Sequence, residues 1–356
     1  MTIQVLDMFC GAGGSSEGAR MAGAKVIRGI DAWALATQTY QDNFPDATVE
    51  TRELGPDSQP ETEIREGEID LLLASPECTN HSPAKGSKPR CEDSRRTSQY
   101  VLNFAQKLLP RWIVLENVVQ LRNWIGYDPL LSELRNIGYR IRPQVLDAAD
   151  FGVPQTRRRL FVLCDRDGEP TPVLPGVIRH RPAGDVVQLD GPWLSKPLYS
   201  EKRAKPTIER AGRAMQELGK GVPFLIVYYG SDGSGGWQRL DKPLRTLTTL
   251  DRFGLVTWEG LEPMLRMLQV DELRAAMGFR DSYLFNRGSR RDRIKMLGNG
   301  VAPPVMEAIL HSLTAIGDIH SPLAGKTLVA REEVVSTRPF SSAPAKDEPS
   351  FWDVGR

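Results

Sequence analysis

The sequence predicts an α/β fold: a sheet of largely parallel strands flanked by helices over residues 1–165, followed by a smaller, irregular domain. Three observations carry this. Short apolar runs (Gln4–Phe9, Lys25–Ile30, Leu71–Ala74, Trp112–Leu115) recur between helical stretches, each the right length for a buried strand and too short for a helix. A glycine-rich turn, Cys10-Gly11-Ala12-Gly13-Gly14, follows the first run, and an acidic residue, Asp31, closes the second. From about Arg166 the alternation stops and Pro and Gly become frequent, as in Glu169-Pro170-Thr171-Pro172.

Taken in order, Gln4–Phe9 is a strand and the glycine turn leads into a short helix to Met21, which Gly23 can stop. Lys25–Ile30 is the second strand and Trp33–Asn43 a helix. Strand, glycine turn, helix, strand and acidic residue form the layout of a nucleotide-binding half-sheet, in which the glycines let backbone approach a ligand and the carboxylate accepts from ribose hydroxyls. Asp46–Glu68, dotted with proline, reads as a surface excursion. Leu71–Ala74 is a buried strand, and Pro83–Arg96 a loop rich in Pro, Gly, Lys and Arg. A helix with Tyr100, Val101, Phe104 and Leu108 on one stripe ends at Pro110. Trp112–Leu115 is a strand running into Glu116-Asn117-Val118. Pro129–Ile137 is a helix, Arg140–Leu146 a strand, Asp150–Gln155 a turn, and Thr156–Leu163 a strand that begins with arginines. Asp271–Met277 and a last helix to about Ile316 complete the chain, with a Ser-, Pro- and charge-rich tail expected to be mobile after Ser321. The expected divisions are 1–165, 166–282, 283–320 returning to the first domain, and 321–356 as tail.

Composition sets bounds. The 356 residues are 40% hydrophobic and 26% charged, as in soluble globular chains. The N-terminus shows no secretory pattern and no apolar run approaches a membrane span, so a cytoplasmic protein is expected. The four cysteines (Cys10, Cys78, Cys91, Cys164) show no CxxC spacing, which argues against a zinc site or a disulfide framework. Net charge is +1, but it is unevenly spread: Asp46–Asp70 is net −7, Leu284–Leu297 net +4 and Pro83–Gln99 net +3. One basic face with an acidic back can hold a polyanion without a high pI.

The strand Leu71–Ala74 breaks into Ser75-Pro76-Glu77-Cys78-Thr79-Asn80-His81-Ser82. Parallel strands present ligand-binding groups at their carboxyl ends, so Cys78 is placed where a nucleophile could work. A lone cysteine there could equally be a packing residue. Glu116 ends another strand at the same edge.

Together these stretches resemble the DNA cytosine-5 methyltransferases. Asp7-Met8-Phe9-Cys10-Gly11-Ala12-Gly13-Gly14 is similar to the family's cofactor loop, Asp70–Ser82 to its nucleophile loop, Glu116-Asn117-Val118 to its glutamate motif and Gln155–Arg159 to its basic motif. Arg266-Met267-Leu268 with Glu272-Leu273 resembles the segment bracing the recognition domain, and Gly298-Asn299-Gly300-Val301 the last motif. The resemblance implies a Rossmann-like, S-adenosylmethionine-dependent methyltransferase sheet with a smaller, irregular target-recognition domain. It implies Cys78 as nucleophile on cytosine C6, Glu116 at N3, and Arg159 at O2 with Arg157 in support. Asp7, Phe9, Gly11, Gly13, Gly14, Asp31, Asn299 and Val301 would hold S-adenosylmethionine, with no metal. The implied partner is double-stranded DNA, bound by a monomer of prokaryotic or phage origin; a companion restriction enzyme is compatible with it. Trp237, Gln238, Arg239 and Arg245 are candidate base readers.

Two departures stand out: Glu77 lies between Pro76 and Cys78, and Ala32 follows Asp31 where an aromatic that stacks on adenine is usual, leaving Phe9 or Trp33 for that contact. Other readings are an RNA (tRNA) cytosine-5 methyltransferase and a non-catalytic DNA-binding relative. A dinucleotide oxidoreductase fits less well, because Ser16 stands where its fingerprint wants glycine.

Overall fold

In the computed structural model, which describes residues 2–61, 63–76, 97–176, 179–229 and 235–314, the chain begins with β1 (Gln4–Met8). Val5, Leu6 and Met8 of this strand are fully buried. α1 (Gly14–Met21) starts where Gly13 adopts φ 88°, a conformation side chains rarely take, and a Cβ at Gly13 would strike the rings of Phe44 and Tyr40 and the Tyr283 hydroxyl. β2 (Lys25–Asp31), α2 (Ala34–Asn43) and β3 (Thr48–Thr51) follow. Then come β4 (Leu71–Ala74), α3 (Val101–Leu108), β5 (Trp112–Asn117), α4 (Tyr127–Asn136), β6 (Arg140–Asp147) and β7 (Arg158–Asp165).

These strands form one seven-stranded sheet in the order β3-β2-β1-β4-β5-β7-β6. The first five are parallel; β7 runs antiparallel to both β5 and β6. The carboxyl ends of β1, β2, β4 and β5 therefore share an edge, and the reversed β7 brings its beginning to that same edge. Glu116 stands opposite Phe161 and Asn117 opposite Leu160, so Arg159 lies one residue beyond the last pair.

The expected surface excursion over Asp46–Glu68 is corrected. Thr48–Thr51 pairs in parallel with Arg28–Asp31 as an edge strand, and Leu54 and Ile64 are buried. A four-residue edge strand needs no apolar run, and Arg28 secures it through ion pairs to Glu50 (3.0 Å) and Glu61 (2.5 Å).

The stretch expected to be irregular holds a second, antiparallel sheet. β8 (Lys196–Pro197), α5 (Lys205–Leu218), β9 (Phe224–Val227), β10 (Trp237–Arg239), β11 (Phe253–Glu259) and β12 (Glu262–Met267) give a five-stranded sheet in the order β10-β9-β11-β12-β8. Its core gathers Leu198, Ala211, Ala214, Phe224, Ile226, Val256 and Leu265. α5 fully buries only Thr207, Ala211 and Ala214, with Met215 and Leu218 packed against the same core; its Ile208, Ala211, Met215, Leu218 spacing is that of an amphipathic helix, a periodicity the sequence reading missed.

α6 (Val270–Ala276), α7 (Arg290–Asn299) and α8 (Pro303–Thr314) complete the described chain, the predicted continuation to Ile316 falling outside it. Between β12 and α6 lies a buried ion pair. The Arg266 guanidinium donates to both Glu272 oxygens (2.7 and 2.8 Å) and to the Gln188 carbonyl (2.5 Å), while Glu272 accepts from the amides of Gln188 (2.8 Å) and Gln269 (2.7 Å). No described helix is long and apolar enough to cross a membrane.

Candidate active site

A cavity of about 380 Å³ opens at the shared strand edge. Phe9, Gly11, Gly14, Asp31, Asn299 and Val301 line one part of it, and Ser75, Pro76, Glu116 and Arg159 another. Phe9 and Gly11 both adopt positive φ, 55° and 53°, which turns the loop backbone sharply after β1. For Phe9 this is an uncommon conformation of the kind that clusters at ligand sites. The Asp31 carboxylate accepts from the amides of Gly11 (2.9 Å) and Trp33 (2.8 Å), and so holds both sides of the opening in place. Burial raises its pKa, while those amides and the Lys295 charge oppose the rise. Each carboxylate oxygen keeps acceptor capacity for a ligand hydroxyl.

The far wall arrives from the end of α7. Gly14 packs directly on the backbone of Val301, where a Cβ would overlap the Val301 carbonyl oxygen. Trp33 lines the cavity, with Lys295 Nζ 4.2 Å from its ring centroid. Lys295, Arg52 and Glu53 are wall residues that sequence reading passed over. Glu53 had a signal, since it follows β3 as Asp31 ends β2, but the strand itself had gone unseen.

Asp7 and Gly13, expected to touch the cofactor, do not line this cavity. Asp7 is fully buried behind the loop, accepting from Ser16 Oγ (2.7 Å), which also bonds the Tyr40 hydroxyl (2.6 Å). Gly13 serves the turn. Burial pushes the Asp7 carboxyl from 3.8 up to about 7, against the Ser16 hydrogen bond, with the Asp31 charge adding to the rise. The folded chain thus keeps a proton that the unfolded chain releases near pH 4, so stability falls as pH climbs through this window, by up to about tenfold in the folding equilibrium per pH unit. Asp7→Asn retains an acceptor for Ser16 and cannot ionise. Its urea midpoint should exceed that of the wild type at pH 8, with the advantage shrinking toward pH 4; a difference constant across pH would refute the assignment.

At the other end of the cavity, Arg159 Nε lies 3.2 Å from Glu116 Oε1. Burial raises the Glu116 pKa, and the charges of Arg159 and Arg157 and the Ser75 hydroxyl pull against it. Asn117 Nδ2 donates to the Pro76 carbonyl (3.2 Å) and its Oδ1 accepts from the Val118 amide (2.9 Å), fixing the chain as it leaves β4. Glu77, Cys78 and the basic loop that follows lie outside the described residues.

Arg157 was expected beside Arg159 at the substrate. Its guanidinium is instead buried, donating to the carbonyls of Leu247 (3.1 Å), Gly298 (2.8 Å) and Gly300 (2.8 Å). Its charge also acts on Glu116, opposing the rise of that pKa.

A cleft of about 650 Å³ lies beside β10, lined in part by Thr156, Arg239, Lys242 and Arg245. All four candidate base readers line this cleft, but two of them are largely buried in its wall. Trp237 is buried against Phe224, and Gln238 is buried with its amide bonded to the Pro243 carbonyl (2.6 Å) and the Arg245 amide (3.1 Å). The basic run Leu284–Leu297 is largely engaged internally. Arg287 grips Asp42 with two 2.7 Å bonds, Arg290 bonds Asp251 (2.8 Å), and Lys295 rests on Trp33. Among the described residues no group of three or more His, Cys, Asp or Glu could hold a metal ion.

The sheet and its ligand edge define a Rossmann-like methyltransferase fold. S. pombe Dnmt2 methyltransferase superposes with a TM-score of 0.64 at 16% identity, covering 89% of this chain and 99% of that one. Entamoeba histolytica methyltransferase EhMeth gives 0.59 at 14%, with 89% and 99% covered. At these identities the likeness is one of fold. The chain belongs to the C-5 cytosine-specific DNA methylase family, whose model matches residues 3–315. Type II methyltransferase M.HgiDI of Herpetosiphon aurantiacus is 32% identical over 257 residues, 68% of this chain and 80% of that protein. M.AgeI of Thalassovita gelatinovora is 30% identical over 214 residues, 55% of this chain, and the match spans about half of that relative (49%). For M.DdeI of Desulfomicrobium norvegicum the shares are 45% and 40%, at 31% identity.

Proposed function

We propose that the protein transfers a methyl group from S-adenosylmethionine to C5 of a cytosine in double-stranded DNA. The observation that carries this is a single cavity joining Asp31 and the glycine loop at one end to the buried Glu116–Arg159 pair at the other. Its volume of about 380 Å³ is within the range of small-ligand sites. The donor set fits the cofactor: Asp31 for ribose hydroxyls, the Gly11 and Gly14 backbone for close approach, and Phe9 and Trp33 as apolar surfaces. When bound, the cofactor supplies an electrophilic methyl on sulfonium.

Cytosine C5 is a weak nucleophile, and the chain's residues have to activate it. Cys78 thiolate adds to C6, forming the S–C6 bond and pushing electron density toward N3 and C5. Glu116, whose burial favours the protonated form, donates to N3 as that charge develops. Arg159 holds O2 and, with Arg157, balances the Glu116 charge. After C5 takes the methyl, loss of its proton to water breaks the S–C6 bond. The base must leave the duplex to reach this cavity, at a cost of about a few kcal/mol that pocket contacts offset. The cleft, lined by Lys242 and Arg245 beside the Arg239–Asp241 pair and Glu217, supplies cations for the flanking duplex.

Bisulfite sequencing of plasmid DNA from cells expressing the chain tests this directly. Protected cytosines should recur in one sequence context. Fully converted plasmid, with labelled methyl transferred to RNA by the purified protein, would establish the RNA reading instead.

A further inference from the structure

Arg157 is placed where a support for Arg159 would not need it. Its single guanidinium ties together two segments distant in sequence, Leu247 on one side and Gly298 with Gly300 on the other. Two further observations extend the connection. Residues 244–247 are zipped to 154–157: the Leu244 amide donates to the Pro154 carbonyl (2.8 Å), the Thr156 amide to the Leu244 carbonyl (2.8 Å), Thr246 Oγ1 to the Thr156 carbonyl (2.8 Å), and the Leu247 amide to Gln155 Oε1 (2.9 Å). And Gly298 lies backbone to backbone on Thr248 and Thr249, where a Cβ would overlap the Thr248 carbonyl, just as Gly14 lies on Val301. A continuous path of main-chain contacts therefore runs from Arg245, on the cationic cleft, through Leu247–Thr249 to Gly298–Val301 and on to Gly14, on the cofactor cavity.

We infer that Arg157 is a positioning residue that makes duplex and cofactor bind cooperatively, by joining the segment Leu244–Thr249 to the cavity wall Gly298–Val301. The inference rests on the proposed function, which puts the duplex at the cleft and the cofactor in the cavity. The physical reason is the stiffness of the junction. A buried cation cannot be left without its acceptors at small cost, and N–H···O bonds weaken steeply once stretched past about 3.2 Å. The glycine contacts have no side chain to absorb a shift. When the duplex fixes the position of Arg245 and its neighbours, the wall is fixed with them, and the cofactor meets a site already ordered. Linkage requires the converse, so cofactor tightens duplex binding by the same factor.

The test measures S-adenosylhomocysteine affinity by calorimetry with and without a duplex oligonucleotide carrying the sequence that the protein is shown to methylate. The wild type should bind it at least about tenfold tighter with the duplex present, within the usual range of coupling. Arg157→Lys keeps the charge but has no planar fork to reach three carbonyls. Whatever its affinity for either ligand alone, the ratio should drop below about threefold. A ratio near one in the wild type, or an unchanged ratio in the variant, overturns the inference; the second result, with a lowered melting temperature, would mark Arg157 as structural only. Should Arg157→Lys fail to fold, hydrogen exchange on the wild type decides. Duplex alone should slow amide exchange at Gly300 and Val301 several-fold, and unaltered exchange there is equally fatal. Absence of methylation, or of any S-adenosylhomocysteine binding, would instead defeat the proposed function, and this inference with it.

Discussion

Cys78→Ala should abolish methyl transfer, by roughly 10⁴-fold or more, as loss of an essential nucleophile does in other covalent enzymes. Without addition at C6, C5 has no enamine character, and Cys10, the other thiol lining the cavity among the described residues, is held protonated by burial and by the Asp7 and Asp31 charges. Glu116 and Arg159 are a carboxyl and a guanidinium already paired at 3.2 Å, suited to stabilising charge on the ring and not to attacking it. Cofactor binding should survive, because the residues lining that end of the cavity come from the loop after β1, the end of β2 and the end of α7. The assay is transfer of labelled methyl groups to duplex DNA, paired with calorimetry of S-adenosylhomocysteine. A duplex bearing 5-fluorocytosine should trap the wild-type protein covalently, since fluorine does not leave as a proton does. Turnover in the alanine variant, or no complex surviving denaturation, would remove the covalent mechanism.

Arg266→Ala should destabilise the fold by about 3–5 kcal/mol, the penalty for orphaning one member of a buried ion pair. Glu272 is 1% exposed, and the carboxylate that remains would keep only the amides of Gln188 and Gln269. The same arginine also covers the Trp193 ring at 4.9 Å and bonds the Gln188 carbonyl, so the loss reaches the chain ahead of β8 as well as β12 and α6. Replacing both partners together, Arg266→Met with Glu272→Leu, should recover much of the loss, because no buried charge is then left alone. Urea unfolding of the three proteins measures it; a single-variant loss below about 1 kcal/mol would show that water reaches Glu272.

β1, β2, β4 and β5 were legible because each is a short, largely apolar run with an abrupt polar end, and those ends are the site. Asp31 and Glu116 follow from that logic, whereas Arg159, at the start of β7, was placed only by the family resemblance. What stayed hidden has identifiable physical causes. β3 is short and polar on an edge. α7 hides Ile294, Met296 and Leu297 among arginines, whereas α5 carried a readable helical spacing that was overlooked in a Pro- and Gly-rich context. Motif position also cannot tell a residue that touches a ligand from one that holds the residue that does. Asp7, Gly13 and Arg157 fall inside the motifs yet face the interior. Trp237 and Gln238 line the cleft yet also carry packing and hydrogen bonds within the small sheet, so sequence alone does not separate their two roles.

The internal pairing of the cations in the basic run Leu284–Leu297 bears on how the protein should respond to ionic strength. Five cations free to meet phosphate would give a slope of about 4–5 in log affinity against log salt, near 0.9 for each phosphate neutralised. Arg287 already holds Asp42, Arg290 holds Asp251 and Lys295 lies on Trp33, so none of these three is free to displace a condensed counterion from a DNA phosphate. This region should therefore contribute a slope nearer two. The ion-sensitive share of affinity would then come mainly from elsewhere on the molecule, Lys242 beside the Arg239–Asp241 pair among the described residues.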